Sequence, residues 1–345
     1  MKFLILGGGP AGIAAAKTVR KAKADAEIQI VTDEKTAPYL RPLMPDFILG
    51  DATAENTLDP EAKDLQEKKI KIAYGRAAVR LDTGNRKVEF SDGTVEEYDR
   101  LLITTGAKCE VPEVLRKKSP MIQVFDSWKD AIAIKEQAAR PGLAVVYGPG
   151  YLAIEACRGL RKAKREVVWI QPNKPRFGYP IAGELEASIL DDVRNRGARI
   201  KDGDEIIEVK EKGSDALQVL TKHGEVIDTS LIVVATERLP SVGFLAGSGM
   251  TIGRGILVDE YLQTSVPDVY AAGDCAEFKD KKTGESRINF GWRSAIKQGQ
   301  LAGENMAGGK KRFGGGQEDY FWALFGSSLE DRGKRVTDVE GYGKT

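Results

Sequence analysis

The fold of this chain is decided by residues 2–12, KFLILGGGPAG, where a short apolar run leads directly into a glycine-rich turn. The run from Phe3 to Leu6 is typical of a central parallel strand, and an alanine-rich helix is predicted over Ile13–Lys21. The glycines have the G-x-G-x-x-G spacing, which makes a tight turn, lets backbone approach a phosphate and lets the helix pack on the strand. Unpaired N–H groups at the start of that helix favour an anion. The predicted pyrophosphate site consists of Gly7, Gly9, Pro10, Ala11 and Gly12.

A second apolar strand, Ile28–Val31, is followed by two acidic residues. They lie about 20 positions beyond the glycine turn, where a carboxylate accepts hydrogen bonds from the hydroxyl groups of an adenosine ribose. Glu34 is the predicted ribose acid, and Asp33 is the alternative.

The chain has 345 residues, enough for two hydrophobic cores, and its 52 basic and 51 acidic side chains nearly balance. Balanced charge argues against nucleic acid as a partner. No apolar stretch approaches the roughly 20 residues that cross a bilayer. Phe3 already belongs to the first predicted strand, so we expect neither a signal peptide nor a membrane span, and we expect a cytoplasmic protein.

The cysteines Cys109, Cys157 and Cys275 are isolated, with no C-x-x-C spacing. This pattern predicts neither a disulfide framework nor a zinc or iron–sulfur site, so no metal is expected. The one histidine, His223, lies in a predicted hairpin turn, which makes catalysis by histidine improbable.

An internal repeat begins at residues 143–155, LAVVYGPGYLAIE, which repeat the strand and the glycine turn. Each copy is followed by a predicted hairpin and a buried strand, at residues 87–107 and 217–240. Between the copies, residues 60–72 are predicted to form a charged helix and the start of a strand. The repeat predicts an α/β fold with two doubly wound, Rossmann-like nucleotide-binding domains, one inserted in the other. The predicted limits are residues 1–114 and 241–310 for the first domain, 115–240 for the second, and 311–345 for a curtailed C-terminal α+β segment.

A resemblance to known flavoproteins rests on residues 266–277, VPDVYAAGDCAE, where a predicted strand stops at Gly273 and Asp274 follows. The chain here resembles the flavoproteins with two dinucleotide-binding domains, in which this Asp holds the ribityl chain of FAD. Residues 36–50, TAPYLRPLMPDFILG, are similar to the Y-x-R-P-x-L segment of NAD(P)H-dependent rubredoxin and ferredoxin reductases and of the flavin domain of assimilatory nitrite reductases. In that family the Arg of the segment lies near the FAD pyrophosphate, which implies this role for Arg41.

Further elements of the resemblance concern the flavin. The segment with Thr105 and Gly106 is similar to an A-T-G-A element that packs against FAD in the family. The helix predicted over 289–309 resembles a family helix whose start points at the flavin pyrimidine, which implies that Gly291 and Trp292 lie beside the flavin. No cysteine lies between residues 36 and 51, where thiol-dependent relatives have one or two. Some ferredoxin reductases have a lysine just after the R-P motif, but Asp46 lies near that point here.

The second glycine turn is similar to the family pattern G-G-G-Y-I-G-x-E, in which the Glu lies near the nicotinamide and the aromatic residue gates its access to the flavin. The resemblance therefore implies that Tyr151 is the gate and that Glu155 contacts the nicotinamide. Pro149 departs from the pattern and leaves the turn one N–H donor poorer. The predicted turn consists of Gly148, Gly150 and Ala153.

The choice of nicotinamide nucleotide stays open. The strand Val167–Ile170 should be followed by an acid if the site selects the free ribose of NADH, but residue 171 is Gln. Gln171 can still hydrogen-bond a ribose, whereas Arg176 nearby could meet the 2′-phosphate of NADPH. A degenerate nicotinamide site is a third alternative.

The resemblance implies an FAD-dependent oxidoreductase that transfers a hydride from NAD(P)H to the flavin. Electrons then pass to a separate protein, such as rubredoxin, ferredoxin or an iron–sulfur subunit. Two alternatives remain: an FAD-carrying subunit of a larger metal-containing redox enzyme, favoured by the short C-terminal segment, and a non-catalytic flavin-bound scaffold. The aromatic run at residues 320–326 also predicts an oligomer or a hetero-complex formed through that segment.

Overall fold

A computed structural model of the chain describes residues 1–116, 119–172, 183–279 and 284–314. The helices of the described chain are α1 (Pro10–Ala22), α2 (Met44–Leu49), α3 (Trp128–Ala138), α4 (Tyr151–Lys162), α5 (Gly183–Asn195) and α6 (Trp292–Met306). Its strands are β1 (Lys2–Leu6), β2 (Glu27–Val31), β3 (Ile70–Ala73), β4 (Ala78–Asp82), β5 (Lys87–Phe90), β6 (Val95–Glu97), β7 (Arg100–Ile103), β8 (Ala107–Cys109), β9 (Ile122–Val124), β10 (Leu143–Tyr147), β11 (Glu166–Gln171), β12 (Ala198–Asp202), β13 (Ile206–Lys212), β14 (Ala216–Thr221), β15 (Val226–Thr229), β16 (Leu231–Val234), β17 (Arg238–Pro240), β18 (Ile256–Val258), β19 (Val269–Ala271), β20 (Ala276–Lys279) and β21 (Ser286–Arg287).

Contacts between residues divide the chain into two compact units. Unit 1 comprises Met1–Pro42, Leu58–Ala107 and the residues from Pro240 onward, and unit 2 comprises Leu43–Thr57 and Lys108–Leu239. The sequence did not predict that Leu43–Thr57, which contains α2, belongs with unit 2. The domain limits given above stay a prediction, because a grouping by contacts does not locate independently folding domains.

The centre of unit 1 is a parallel sheet with the strand order β19-β7-β1-β2-β3. In this sheet β1 lies in the middle, and its last residue, Leu6, pairs with Val31 of β2 and Ile103 of β7. Strands covered on both faces need continuous apolar runs, and β1 and β7 have them. The carboxyl ends of these three strands therefore meet at one edge of the sheet, where Gly7 begins the glycine turn.

Two apolar clusters cover the two faces of this sheet. Ile5 belongs to the cluster that includes α1 and α6, whereas Leu4 and Leu6 belong to the cluster that includes β4 and β5. This alternation follows from the two-residue period of a strand. The helices α1 and α6 pack closely at Gly299, where a Cβ would lie only 2.1 Å from the carbonyl oxygen of Ala11. Only glycine fits at this contact.

Unit 2 repeats this design with a parallel sheet of order β12-β11-β10-β16-β9. At the end of β10, Tyr147 pairs with Ile170 and Val234, just as Leu6 pairs with its neighbours in unit 1. An antiparallel sheet, β4-β5-β6 or β13-β14-β15, precedes the closing strand of each unit. Only the outermost strand differs, since unit 1 takes β19 from late in the chain and unit 2 takes β9 from before its central strand. The predicted α/β fold with two Rossmann-like halves is confirmed.

The remaining sheets are small. One has the order β18-β20-β21, and the other pairs β17 with β8. In the first of these, β20 and β21 pair in antiparallel orientation, and residues 280–283 between them lie outside the described residues. The predicted C-terminal segment is described only over 311–314, so its α+β structure and its aromatic run lie outside the described residues as well.

The helix predicted after residue 60 is wrong. Residues Pro60–Ala62 form a single 3-10 turn, and further turns lead to β3. Arg20 of α1 donates hydrogen bonds to the backbone carbonyl oxygens of Lys68 (2.8 Å) and Lys69 (3.0 Å). Lys69 also has a positive φ of 53°, which a helix does not allow. The positive φ of Lys69 ends these turns and leads the chain into β3.

Candidate functional site

The first glycine turn is built by close contacts that only glycine permits. Gly7 has a φ of +117°, and a Cβ added there would lie 2.1 Å from the carbonyl oxygen of Thr104. A Cβ on Gly12 would lie equally close, at 2.1 Å, to the carbonyl oxygen of Gly7. The first and last glycines thus hold the turn against the ends of β1 and β7, as their spacing predicts.

The middle glycine has a different environment. Gly9 is the N-cap of α1, has an ordinary φ of −81°, and a Cβ added to it would meet nothing within 4 Å. Pro10 occupies the first turn, no side chain caps the helix, and the first turn contains no acidic residue. The N–H groups near Ala11 are therefore available to an anion at the positive end of the helix dipole, and the space over Gly9 is open.

The predicted ribose acid lies at the same edge of the sheet. Glu34 Oε1 accepts hydrogen bonds from the hydroxyl of Tyr39 (3.0 Å) and from Nη2 of Arg41 (2.6 Å). Asp33, the alternative, is exposed. The structure thus brings Glu34 and Arg41 into one ion pair, which the sequence had not indicated, and Tyr39 of the same loop is a contact that sequence reasoning missed.

The segment around Asp274 is joined to the start of α6. Asp274 Oδ1 accepts a hydrogen bond from the backbone N–H of Gly291 (3.2 Å), which is the N-cap of α6. No side chain caps α6, and its first turn has no acidic residue. Trp292 follows, and its Nε1 is buried without a hydrogen-bond partner among the described residues. Asp274, Gly291 and Trp292 are therefore adjacent, as the resemblance implies.

Two contacts fix the neighbouring loops. Gly273, at a φ of +79°, donates its N–H to Oε1 of the fully buried Gln298 (2.9 Å), which also donates to Ser294 (3.1 Å). Thr105 donates its hydroxyl to the carbonyl oxygen of Ser241 (2.9 Å), and the carbonyl oxygen of Gly106 accepts the N–H of Ser241 (2.9 Å). Thr105 and Gly106 thus form part of a loop contact. The role of Gln298 was missed, and its only signal is a polar residue on an apolar helix face.

The second glycine turn has the same construction as the first. Gly148 has a φ of +138°, and a Cβ there would lie 2.2 Å from the carbonyl oxygen of Ala235. Gly150 is the N-cap of α4, again without a side-chain cap or an acidic residue in the first turn, and Ala153 is buried. The structure describes the backbone of Tyr151 but not its side chain. The second turn therefore offers the same uncapped helix end as the first.

Glu155 lies in a buried ionic cluster. It accepts hydrogen bonds from Nη2 (2.7 Å) and Nε (3.2 Å) of Arg158, and Arg158 also donates to Oδ1 of Asp46 (3.2 Å). Burial lowers the pKa of Arg158, but the two carboxylates outweigh this effect and raise the pKa above its ordinary value. Sequence reasoning noticed Asp46 but did not predict Arg158 as its partner.

Gln171 ends β11 and is fully buried. Neither its amide oxygen nor its amide nitrogen has a hydrogen-bond partner within the described ranges. A buried amide without partners is costly, so a polar ligand at this position would stabilise it. Arg176 lies outside the described residues.

The cysteines do not form a redox centre. All three are free thiols; Cys157 and Cys275 are buried, and burial raises the pKa of both, to about 11 for Cys275. Burial also raises the pKa of Cys109, whose Sγ lies 3.0 Å from Oγ1 of Thr236. Thiols that stay protonated at neutral pH are poor nucleophiles.

Neither a membrane-spanning helix nor a cluster of metal ligands is present among the described residues. No helix there combines the length and the apolar character that a bilayer requires. No group of three or more His, Cys, Asp or Glu side chains there is arranged to hold a metal ion.

The described residues of unit 1 fit an FAD molecule. The open space over Gly9 at an uncapped helix end suits a pyrophosphate, Glu34 provides a carboxylate for a ribose, and Asp274 provides a second acid beside the start of α6. These features lie at the carboxyl ends of the parallel strands, where open α/β sheets bind nucleotides.

Comparisons with known proteins agree with this fit. The NADH-rubredoxin oxidoreductase of Clostridium acetobutylicum is 29% identical over 315 residues, which cover 89% of this chain and 75% of that protein. The NADH-dependent phenylglyoxylate dehydrogenase subunit epsilon of Aromatoleum evansii is 27% identical over 309 residues, which cover 89% and 72%. The crystal structure of the ferredoxin reductase for the CYP199A2 system from Rhodopseudomonas palustris superposes with a TM-score of 0.84 and 25% identity, covering 90% of this chain and 77% of that one.

The predicted resemblance to rubredoxin and ferredoxin reductases is thus confirmed. The sequence profile described as pyridine nucleotide-disulphide oxidoreductase matches residues 1–301, which include both glycine turns and the Asp274 segment. The chain therefore belongs to the pyridine nucleotide-disulphide oxidoreductase family.

Proposed function

We propose that this chain is an FAD-dependent oxidoreductase that takes a hydride from NADH and passes electrons to a separate redox protein. The observation that carries the proposal is the pair of glycine turns, one in each unit, each opening an uncapped helix at the carboxyl end of a central strand. Two such turns in one chain are suited to two dinucleotides, and the acidic residue Asp274 beside the start of α6 supports placing FAD in unit 1. When bound, FAD supplies the redox chemistry.

The residues of unit 1 bind and orient the flavin nucleotide in this proposal. The glycine turn holds the pyrophosphate by backbone N–H groups, and Glu34 accepts the ribose hydroxyls, with Arg41 beside it. Asp274 would hold the ribityl chain, and the positive dipole end at the start of α6 would stabilise negative charge on the flavin. The proposed FAD residues are Gly7, Gly9, Pro10, Ala11, Gly12, Asp33, Glu34, Arg41, Thr105, Gly106, Gly273, Asp274, Gly291 and Trp292.

The residues of unit 2 bind the nicotinamide nucleotide. The second glycine turn holds its pyrophosphate, and Glu155 lies one turn into the helix on the nicotinamide side. Gln171 supplies a neutral donor and acceptor for the ribose, and the names of the relatives favour NADH over NADPH. The proposed residues are Gly148, Gly150, Tyr151, Ala153, Glu155, Gln171 and Arg176.

We infer that the electrons leave to a separate protein, and the described residues, which include all three cysteines, show no group that would accept them. The thiols are buried or have a raised pKa, and no cysteine lies in the loop after β2. Rubredoxin and ferredoxin are the acceptor classes that the relatives' names support. The cytoplasmic location and assembly through residues 311–345 also stay predictions.

A second candidate function is an FAD-carrying subunit of a larger redox enzyme. The relative from Aromatoleum evansii is itself named as a subunit, and it is similar over 89% of this chain. In this case NADH still reduces the flavin, but rapid turnover needs a metal-containing partner chain that co-purifies.

The test is anaerobic mixing of the purified yellow protein with NADH or NADPH while the visible flavin absorbance is recorded. Rapid bleaching by NADH, followed by return of colour when oxidised rubredoxin or ferredoxin is added, is the expected result. Bleaching without reoxidation by either acceptor favours the subunit. A protein that binds FAD but is bleached by neither nucleotide is a scaffold, and the proposal is then wrong.

A further inference from the structure

One guanidinium in unit 2 joins two buried carboxylates. Arg158 contacts Glu155 through Nη2 and Nε and contacts Asp46 through Nη2, at 2.7, 3.2 and 3.2 Å. Glu155 and Asp46 are each only 2% exposed, and the side chain of Arg158 is 17% exposed. A single planar cation thus connects two acids that lie 109 positions apart in the sequence (155 − 46).

The two acids occupy different elements. Glu155 lies near the start of α4, just after the second glycine turn, and Arg158 follows one turn later. Asp46 lies on α2, whose position is secured independently: the ring of Phe47 packs on Trp128 of α3 with centroids 4.4 Å apart, and Lys135 lies 4.0 Å over the Phe47 ring. Asp46 is therefore a fixed point on which Arg158 is anchored.

We propose that Arg158 is a positioning residue for the nicotinamide site: anchored on Asp46, it holds Glu155 ionised and in one orientation at the second glycine turn. The inference rests on the proposed function, in which Glu155 contacts the nicotinamide of NADH. It adds that the orientation and charge of Glu155 are set by a residue one helical turn away and by an acid on a different helix.

Geometry favours this role over a purely stabilising one. Replacing a buried ion pair by apolar groups often changes stability little, whereas removing one partner leaves a charge without compensation. The neighbouring charges are engaged elsewhere: Lys162 pairs with Asp51, and Lys135 faces the Phe47 ring. Arg158 donates hydrogen bonds to both carboxylates, so its removal withdraws a positive charge from this cluster and favours protonation of a carboxylate.

Four variants test the proposal. Arg158→Met removes the cation but keeps much of the side-chain volume, Arg158→Lys keeps the charge but not the fork, and Asp46→Asn removes the anchor. Arg194→Met is the matched control, because Arg194 pairs with Asp191 at the same i,i+3 spacing (2.9 Å) on the exposed face of α5. Each holoprotein is examined for FAD content, urea unfolding, rate of flavin reduction by NADH from pH 6 to 9, and infrared absorption of protonated carboxyl groups.

The expected result for Arg158→Met is wild-type FAD content with a rate of flavin reduction roughly 10- to 100-fold lower, and with a smaller change in the NADH concentration for half-maximal rate. The rate should rise with pH across the range, because a buried carboxyl that loses its counter-charge retains its proton. A protonated-carboxyl band should appear at pH 7. Arg158→Lys should recover much of the rate and the pH profile, Asp46→Asn should be intermediate, and Arg194→Met should match wild type.

A wild-type rate and pH profile for Arg158→Met would overturn the positioning role, as would a loss of stability without any change in profile or infrared band. Should Arg158→Met fail to fold, Arg158→Lys and Asp46→Asn decide: wild-type kinetics in both refute the role. The proposed function fails separately, because it requires only that the wild-type protein be reduced by NADH.

Discussion

The sharpest test of the first nucleotide site is Gly9→Ala. Gly9 has a φ of −81°, which alanine adopts without strain, and a Cβ there meets no protein atom within 4 Å. The substitution should change the free energy of unfolding of the apoprotein by less than about 1 kcal/mol, because the lower entropy of the unfolded chain with alanine opposes the preference of an N-cap for glycine over alanine. A large loss of FAD affinity must then come from a clash with a ligand that occupies the open space.

The expected loss of FAD affinity can be worked from this geometry. Forcing one methyl group into a filled contact costs about 1–3 kcal/mol. Since about 1.4 kcal/mol corresponds to a factor of ten, the Kd for FAD should rise about 5- to 140-fold. Gly12→Ala is the contrasting variant: its Cβ would lie 2.1 Å from the carbonyl oxygen of Gly7, so it should destabilise the apoprotein itself.

The assay has two parts. Urea unfolding of the flavin-free protein measures stability, and titration with FAD, followed by quenching of tryptophan fluorescence, measures Kd. We expect Gly9→Ala to raise Kd while leaving stability nearly unchanged, and we expect Gly12→Ala both to lower stability and to raise Kd. If Gly9→Ala binds FAD with wild-type affinity, the pyrophosphate does not lie over Gly9 and the assignment of this turn is refuted.

Three further predictions concern other parts of the chain. Arg165→Ala should lower the free energy of unfolding, measured with urea, by about 2–4 kcal/mol. The substitution removes a buried guanidinium that donates hydrogen bonds to three backbone carbonyl groups and to Ser230. A change below about 0.5 kcal/mol would contradict this. Gln171→Glu should raise the ratio of kcat/KM for NADH to kcat/KM for NADPH about 10- to 100-fold. A carboxylate accepts hydrogen bonds from the ribose hydroxyl groups and repels a 2′-phosphate. An unchanged ratio would show that Gln171 does not contact the ribose. The free energy of unfolding should fall as the pH rises above about 9. Burial raises the pKa of Cys275 from 9.0 to about 11 and the pKa of Tyr98 from 10.0 to about 12, so the unfolded chain loses these protons at lower pH than the folded chain does. A free energy of unfolding that stays constant from about pH 8 to about pH 11 would contradict this.

The parts of the fold that the sequence predicts are those set by local pattern. A buried strand, a glycine with positive φ and an uncapped helix start in succession are typical of a nucleotide-binding turn. The apolar runs of β1 and β10 and the glycines that follow them therefore predict this turn directly. The stretch after residue 60 could not be predicted in this way. Its residues have helical spacing but form turns, and the stretch is fixed partly by Arg20 of α1, which donates hydrogen bonds to the carbonyl groups of Lys68 and Lys69. Tertiary context of this kind overrides helix propensity and is not visible in the local pattern.

The same division holds for the candidate site. Sequence reasoning could select Gly7, Glu34 and Asp274 as candidates because each lies just after an apolar run that predicts a buried strand. It could not predict the contacts around them, since Gln298 reaches the loop at Gly273 and Arg158 reaches α2, and no local pattern encodes this packing. The signals that existed were weak: a polar residue on the buried face of α6, and a basic residue three positions after Glu155.

The register of the two sheets adds a constraint on nucleotide choice. Leu6 pairs with Val31, and Tyr147 pairs with Ile170, so the position in unit 2 that is level with Thr32 is Gln171. By counting along the sequence, Glu34 corresponds to residue 173, which lies outside the described residues. Gln171 and Glu34 are therefore not equivalent, and the absence of an acid at 171 does not by itself indicate a preference for NADPH. The variant Gln171→Glu tests where the ribose binds. If the ribose binds level with the end of β11, the new carboxylate lies against its 2′-position. If the ribose binds two residues beyond the strand end, the new carboxylate does not reach it and the preference for NADH should not change.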